Sequence, residues 1–301
     1  MKRITVILAA TVLLASCNQY EKTPSGLTYK ITKGSGNNKP LAQGQFVKFN
    51  IEYTVPPKDS VFSSSFNHIP AYMVIDTSRP AKHSFLEIIT KCAVGDKIDF
   101  NMSVDTLKKM GALDYNNVFH ARDIIKGRVE ILKTFANQQE AEADLAKEQE
   151  IEKQKELNEV KDYATKKGFK SQTTASGVVV NVVNAGDAVK PDTGKVVKVM
   201  YKGYFTNGKE FDSNMKPGGQ PLNVVIGGGG VIKGLEDGLA FFGKGGKGTI
   251  VVPAILAYGQ TGNPPVIPAW STVVFDIEVV EIAAAPAQQA VPGMPPAPGQ
   301  R

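Results

Sequence analysis

Val231-Ile232-Lys233-Gly234-Leu235-Glu236-Asp237-Gly238 decides how the carboxy-terminal half of this 301-residue chain is read. After Gly234 the apolar positions are Leu235, Leu239, Phe241 and Phe242, the mark of one short helical segment. On both sides lie short runs of β-branched residues separated by Gly, Pro, Asn and Asp, which read as antiparallel sheet. The expected class is α+β: a small antiparallel sheet with one short helix laid on it.

The same order of pieces occurs twice. Ser25-Gly26-Leu27-Thr28-Tyr29-Lys30-Ile31 returns in pattern as Ser176-Gly177-Val178-Val179-Val180-Asn181-Val182. Gly44-Gln45-Phe46-Val47-Lys48-Phe49 returns 150 positions later as Gly194-Lys195-Val196-Val197-Lys198-Val199. Phe62-Ser63-Ser64 falls opposite Phe211-Asp212-Ser213, and Gly95-Asp96-Lys97 opposite Gly245-Gly246-Lys247. So long a period marks a duplicated domain and not a solenoid repeat.

Between the copies, Ala136 to Lys167 contains no Gly or Pro and is dominated by Ala, Glu, Gln, Lys and Leu, the best helix formers. Asp144–Lys147, Glu150–Lys153 and Glu152–Lys155 are acid–base pairs at a spacing that meets on a helix. The apolar residues Leu145, Ile151, Leu157, Val160 and Tyr163 are sparse and fit no sustained heptad. The segment therefore reads as a solvated spacer helix of ~48 Å, ahead of a coiled coil, with Gly168 as its C-cap.

The amino terminus reads as a targeting signal. Lys2 and Arg3 precede an apolar stretch from Ile4 to Leu14, too short for the ~20 residues that span a bilayer. Leu14-Ala15-Ser16-Cys17 resembles a bacterial lipobox, which implies cleavage before Cys17 and acylation of that cysteine. Several acyl chains make such anchoring stable. Cys92 is then the lone cysteine of the mature chain, in an apolar setting that reads as buried and structural. Beyond Ile282 the tail is rich in Ala, Pro and Gln and reads as disordered.

Composition and motifs exclude several functions. With 42% hydrophobic and 21% charged residues the chain can bury real cores, so a wholly disordered protein is excluded. The net charge of +6 is not gathered into a basic stripe interleaved with aromatics, so a nucleic-acid partner is not expected. His68, His83 and His120 are widely spaced, without metal-ligand periodicity. Gly227-Gly228-Gly229-Gly230 lacks the Gly-Lys-Ser/Thr of a phosphate loop and reads as a flexible connection. No serine- or cysteine-type triad stands out. What remains is chemistry that needs a shaped apolar pocket and no strong acid or base.

The second copy has the parts for one. They are Val199-Met200-Tyr201-Lys202-Gly203, Phe211-Asp212-Ser213, the Val231–Gly238 stretch, Val251-Val252-Pro253, Ala257-Tyr258-Gly259, Pro264-Pro265-Val266-Ile267-Pro268 and Thr272-Val273-Val274-Phe275-Asp276-Ile277-Glu278. In this order and spacing the set resembles the FKBP-type peptidyl-prolyl isomerases, the immunophilins that bind tacrolimus, over residues ~171–282. The resemblance implies Tyr201, Asp212, Ile232 and Tyr258 as catalytic residues. The Ile232 N–H and the Tyr258 hydroxyl would hydrogen-bond substrate carbonyls. It implies Phe211, Leu222, Val231, Leu235, Val266, Ile267 and Phe275 as the walls and floor that bind the proline. No metal or cofactor is implied. Tyr201, Asp212 and Tyr258 are the most informative, because polar atoms among apolar neighbours need a reason.

Two positions depart from the family pattern. Leu235 stands where tryptophan usually floors the pocket, and Leu222 where phenylalanine is common, which implies weaker proline and tacrolimus binding. The first copy departs further: Ile51 stands where Tyr201 does, Ser63 replaces Asp212, and no equivalent of the Tyr258 segment occurs. It reads as a degenerate FKBP-like domain whose Phe62, Phe66 and Tyr72 could hold clients.

The expected layout is a signal peptide (1–16), a tether from lipidated Cys17 (17–25), a degenerate FKBP-like domain (26–134), a charged helical linker (135–170), an FKBP-type domain (171–283) and a tail (284–301). The expected function is prolyl isomerisation of proline-containing exported proteins. The protein would be lipid-anchored in the cell envelope, on a periplasmic or outer-membrane face. The alternative is a non-catalytic chaperone or binding module that uses the same pocket and the first domain to hold clients.

Overall fold

The computed structural model describes residues 20–284 except 37, 57, 58, 79 and 80. Cys17 and most of the carboxy-terminal tail therefore lie outside the described residues. Two compact units emerge: one runs to Phe66 and again over Pro70–Ala141, the other comprises Asn67–Ile69 and the residues from Glu142 on.

In the first unit the strands are β1 (Glu21–Lys22), β2 (Thr28–Thr32), β3 (Phe46–Val55), β4 (Ser60–Ser64), β5 (Ala71–Val74), β6 (Lys97–Ser103) and β7 (Ile124–Phe135). A 3-10 helix at Phe85–Lys91 and the short helix α1 (Val104–Lys109) complete it. The strand order is β1-β2-β6-β7-β3-β4, with β5 also on β3. The expected tether is partly structured: Glu21 and Lys22 pair with Tyr29 and Thr28, and the Tyr29 hydroxyl donates to Glu21. Cys92 is fully buried, its thiol pushed up to about 12 by burial and then by the charge of Asp96.

After the long helix α2 (Gln138–Lys166), the second unit contains β8 (Ser171–Thr173), β9 (Val179–Asn184), β10 (Lys195–Phe205), β11 (Glu210–Ser213), β12 (Leu222–Val225), the helix α3 (Lys233–Leu239), β13 (Lys247–Val252) and β14 (Val273–Ala284). The strand order is β8-β9-β13-β14-β10-β11, with β12 on β10. This repeats the first sheet position for position, and every pairing in both is antiparallel. Among the described residues, two of the three irregularities of the second sheet recur in the first. β3 slips against β7 after Lys48 and against β4 after Tyr53; β10 slips against β14 after Lys198 and against β11 after Gly203. A bulge bends and re-aims a strand, so shared bulges give both copies the same curvature.

α3 lies against β13 with its glycines inward. A Cβ on Gly234 would come 2.2 Å from Val252, and one on Gly238 2.5 Å from Ile250. Glycine costs ~1 kcal/mol in a helix interior relative to alanine, and here it permits the close approach that seals the core of Leu235, Leu239, Phe242, Ile250 and Phe275.

The long helix differs from the solvated spacer expected. Val160 and Ala164, one turn apart, are buried against Val179, Val251 and Val274, with Tyr163, Phe169 and Tyr204 packed around them. In β13 and β14, Val251 and Val274 alternate with residues of the main core, so these strands are buried on both faces. Tyr204 packs in the same cluster as Tyr163 of the helix, and its hydroxyl donates to Asp276 at 3.1 Å. Among the described residues no helix is long and apolar enough to cross a membrane.

Candidate active site

β10 carries Tyr201 on the strand just before its bulge, and β11 returns so that Asp212 pairs with Gly203. The Tyr201 hydroxyl thereby donates to Asp212. Asn214, which sequence reasoning did not single out, fixes the turn: its Oδ1 accepts from the Tyr201 N–H at 2.6 Å, and its Nδ2 donates to the Val199 and Gln220 carbonyls at 3.1 and 3.0 Å. The only sequence signal for this role is an asparagine directly after a strand, a position where its side chain can replace lost ladder bonds.

Phe275 stands at the centre of an aromatic box. The rings of Tyr201 and Phe211 meet it at 6.1 and 5.9 Å, both edge-on, the geometry that ring quadrupoles favour. Leu235, Ile267 and Phe275 are buried in one apolar cluster, against which Leu222, Val231, Ile232 and Tyr258 are half-buried. Of the site residues named from sequence, Val266 alone is turned away. It is 51% exposed and lines a different cavity, because it is adjacent to Ile267 in the chain and points the other way.

Polar donors ring this apolar floor. Ile232 immediately precedes α3, and its N–H has no acceptor among the described residues. Tyr258 follows a 3-10 turn at Ala254–Leu256, and its hydroxyl likewise has no partner among the described residues. Burial, and after it the charge of Asp212, raises the Tyr258 phenol above its ordinary range. Tyr201 is raised too, by burial and by its hydrogen bond to Asp212. Both phenols therefore keep their protons and remain donors at neutral pH.

The glycine-rich segment is pinned and not merely a flexible connection. The buried Glu236 accepts the Gly227 and Gly229 N–H groups at 3.1 and 3.0 Å, which ties the approach to Val231 onto α3. In the first unit the register places Ser63 opposite Tyr53 as Asp212 lies opposite Gly203. Ile51 occupies the place of Tyr201, three residues past the corresponding bulge. That copy thus has neither the phenol nor the carboxylate of the pair.

The chain is similar to several known proteins. A family model described as FKBP-type peptidyl-prolyl cis-trans isomerase matches residues 187–280. A probable FKBP-type peptidyl-prolyl cis-trans isomerase of Haemophilus influenzae is 32% identical over 212 residues, which cover 66% of this chain and 87% of that protein. FkpA of Escherichia coli, named an FKBP-type peptidyl-prolyl cis-trans isomerase, is 43% identical over 130 residues, 43% of this chain. The match spans only 46% of the length of that relative. A crystal structure of FkpA from Escherichia coli aligns at 36% identity and a TM-score of 0.39, covering 49% of this chain and 70% of that one. The chain belongs to the FKBP-type peptidyl-prolyl cis-trans isomerase family.

Proposed function

We propose that the second unit catalyses cis–trans isomerisation of X-Pro bonds in exported proteins, held at the cell envelope by a lipid on Cys17, while the first unit is catalytically silent. One observation carries the catalytic part: the Tyr201–Asp212 pair, the Tyr258 hydroxyl and the Ile232 N–H surround a floor of Leu235, Ile267 and Phe275. The barrier to X-Pro rotation is ~20 kcal/mol because twisting breaks amide resonance. The planar amide is the more dipolar form, so an apolar floor that strips its water raises the ground state relative to the twisted one. Tyr258 and Ile232 would hold the flanking carbonyls in place while the proline ring rests on Phe275 and Leu235. Asp212, by accepting from Tyr201, orients that ring as a wall.

Export and anchoring rest on the Leu14–Cys17 motif and the charged and apolar segments before it. Isomerisation of a short X-Pro peptide by the full chain, beside Asp212→Ala, tests the catalytic part. Loss of catalysis in the variant is expected; equal rates would overturn the reading. Labelling with a radioactive fatty acid in a bacterial host, abolished by Cys17→Ser, tests the anchor.

A second reading, a holding module without useful turnover, draws support from Leu235 at the floor. If Asp212→Ala left client binding intact and the parent chain showed no turnover, that reading would replace the first.

A further inference from the structure

Beside the proline pocket lies a second concavity of about 750 Å3. Such a volume falls within the ~300–1,000 Å3 of sites that hold small ligands. The last turns of α2 form one side with Glu159, Asp162 and Tyr163; the β10–β11 turn and the segment before β14 form the other with Phe205, Val266 and Trp270. Two elements are shared with the pocket. The Phe205 ring packs on that of Phe211 at 5.1 Å, and Ile267 faces the pocket while its neighbours Val266 and Pro268 face the groove.

We propose that this groove binds the stretch of client polypeptide adjoining the proline held in the pocket, so that one extended client segment occupies both. The proposal rests on the proline-pocket reading. The common wall makes the two sites continuous, so a chain leaving the pocket past Phe211 and Ile267 meets the groove directly. The lining suits polypeptide more than nucleic acid or an anionic lipid surface. Aromatic and proline faces alternate with charges of both signs, Glu159 and Asp162 against Lys166 and Lys209. None of these four has a side-chain hydrogen bond or ion pair among the described residues. A site for phosphates would show one sign of charge, whereas extended peptides dock on aromatic grooves through stacking and spaced polar contacts.

Trp270 is the sole tryptophan of the chain, so its fluorescence reports on the groove directly. The full chain is titrated with a short X-Pro peptide that fills only the pocket and with a longer peptide carrying the same core between charged flanks. Isomerisation of both is followed in parallel. The longer peptide is expected to shift Trp270 emission and to show a KM roughly five- to tenfold below that of the short one. In the double variant Glu159→Lys with Asp162→Lys, both exposed helix positions, that advantage is lost while short-peptide turnover is unchanged. Trp270→Gly, which suits the φ of +57° there, should remove the advantage as well. Equal KM values for the two peptides in the parent chain, or an undiminished advantage in both variants, would overturn the groove. A long-peptide emission shift without turnover of either peptide would instead overturn the pocket's catalytic role and leave the groove standing.

Discussion

Gly203 stands directly opposite Phe275 across the β10–β14 ladder, and the Phe211 ring occupies the space into which a side chain at 203 would project. A Cβ built there would lie 2.7 Å from that ring and 3.1 Å from Phe275. In the first unit the corresponding pair is reversed: Tyr53 lies opposite Gly127. Tyr53 packs edge-on against Phe100 at 5.9 Å, and Phe62, at the place of Phe211, turns to Phe119 at 5.6 Å. The aromatic wall that hollows one copy has been exchanged for a ring that fills the other.

Gly203→Ala should therefore damage the pocket selectively. Overpacking of this kind costs ~1–3 kcal/mol, and displacement of Phe211 should lower kcat/KM on a short X-Pro peptide by roughly tenfold. Circular dichroism should show the sheet intact. Unchanged turnover would mean that Phe211 does not shape the site.

Tyr201→Phe removes the hydroxyl that donates to Asp212 while keeping the ring against Phe275. Because Asp212 is exposed and water can replace the lost donor, stability should change by less than ~1 kcal/mol. Turnover should fall, and an inhibitor titration should show weaker ring binding. A stability loss equal to the loss of activity would assign Tyr201 to the core alone.

Leu235 is 3% exposed at the floor, without the broad aromatic face that the family pattern has there. Tacrolimus is expected to bind weakly, and Leu235→Trp to tighten it even if thermal stability drops from overpacking. Calorimetric titration of the two chains decides the matter; tight binding by the parent chain would refute the shallow-floor argument.

Glu156 on α2 is 3% exposed; its Oε2 accepts the Ile255 N–H at 2.8 Å, and its Oε1 has no hydrogen-bond partner among the described residues. Burial, with the charges of Glu152 and Glu159 adding to it, raises its carboxyl from 4.5 to about 7. Between those values the folded chain retains a proton that the unfolded chain has released, so stability falls as pH rises through that window. The change is on the order of 2 kcal/mol. Glu156→Gln keeps an acceptor for Ile255 and should flatten the dependence, as urea melts at pH 5 and pH 8 would show.

Val160→Asp should place a charge against Val179, Val251 and Val274 and destabilise the second unit by ~3 kcal/mol or more. A chain begun at Gly168 would expose the same valines and should bind a hydrophobic dye. If such a truncation melted like the full chain, the helix would contribute nothing to the fold.

The duplication and most residues of the candidate site could be read from the sequence because each carried a signal in place. Tyr201, Asp212 and Tyr258 are polar groups among apolar neighbours, and Gly44 and Gly194 open matching strands. The docking of α2 was hidden in the helix, where Val160 and Ala164 are too few to make a stripe. It was written more clearly in the strands: Ile250-Val251-Val252 and Val273-Val274-Phe275 are apolar without alternation, the mark of a sheet covered on both faces. Glu156 gave no sign among many surface glutamates, since its burial depends on a partner turn far along the chain. Val266 lies away from the apolar floor because a motif names neighbours in sequence, while adjacent side chains face opposite ways.

The reversed pair in the first unit acts as a one-way gate in sequence space. Tyr53→Gly alone would leave a void in the core, and Gly127→Phe alone would drive a ring into Phe100, which already lies 2.1 Å from where even a Cβ at 127 would sit. Either single step costs stability, the first through a cavity and the second through overpacking, before any pocket is formed. Giving the first unit the Gly203–Phe275 arrangement of the second therefore takes at least two changes made together, one to empty the space and one to wall it.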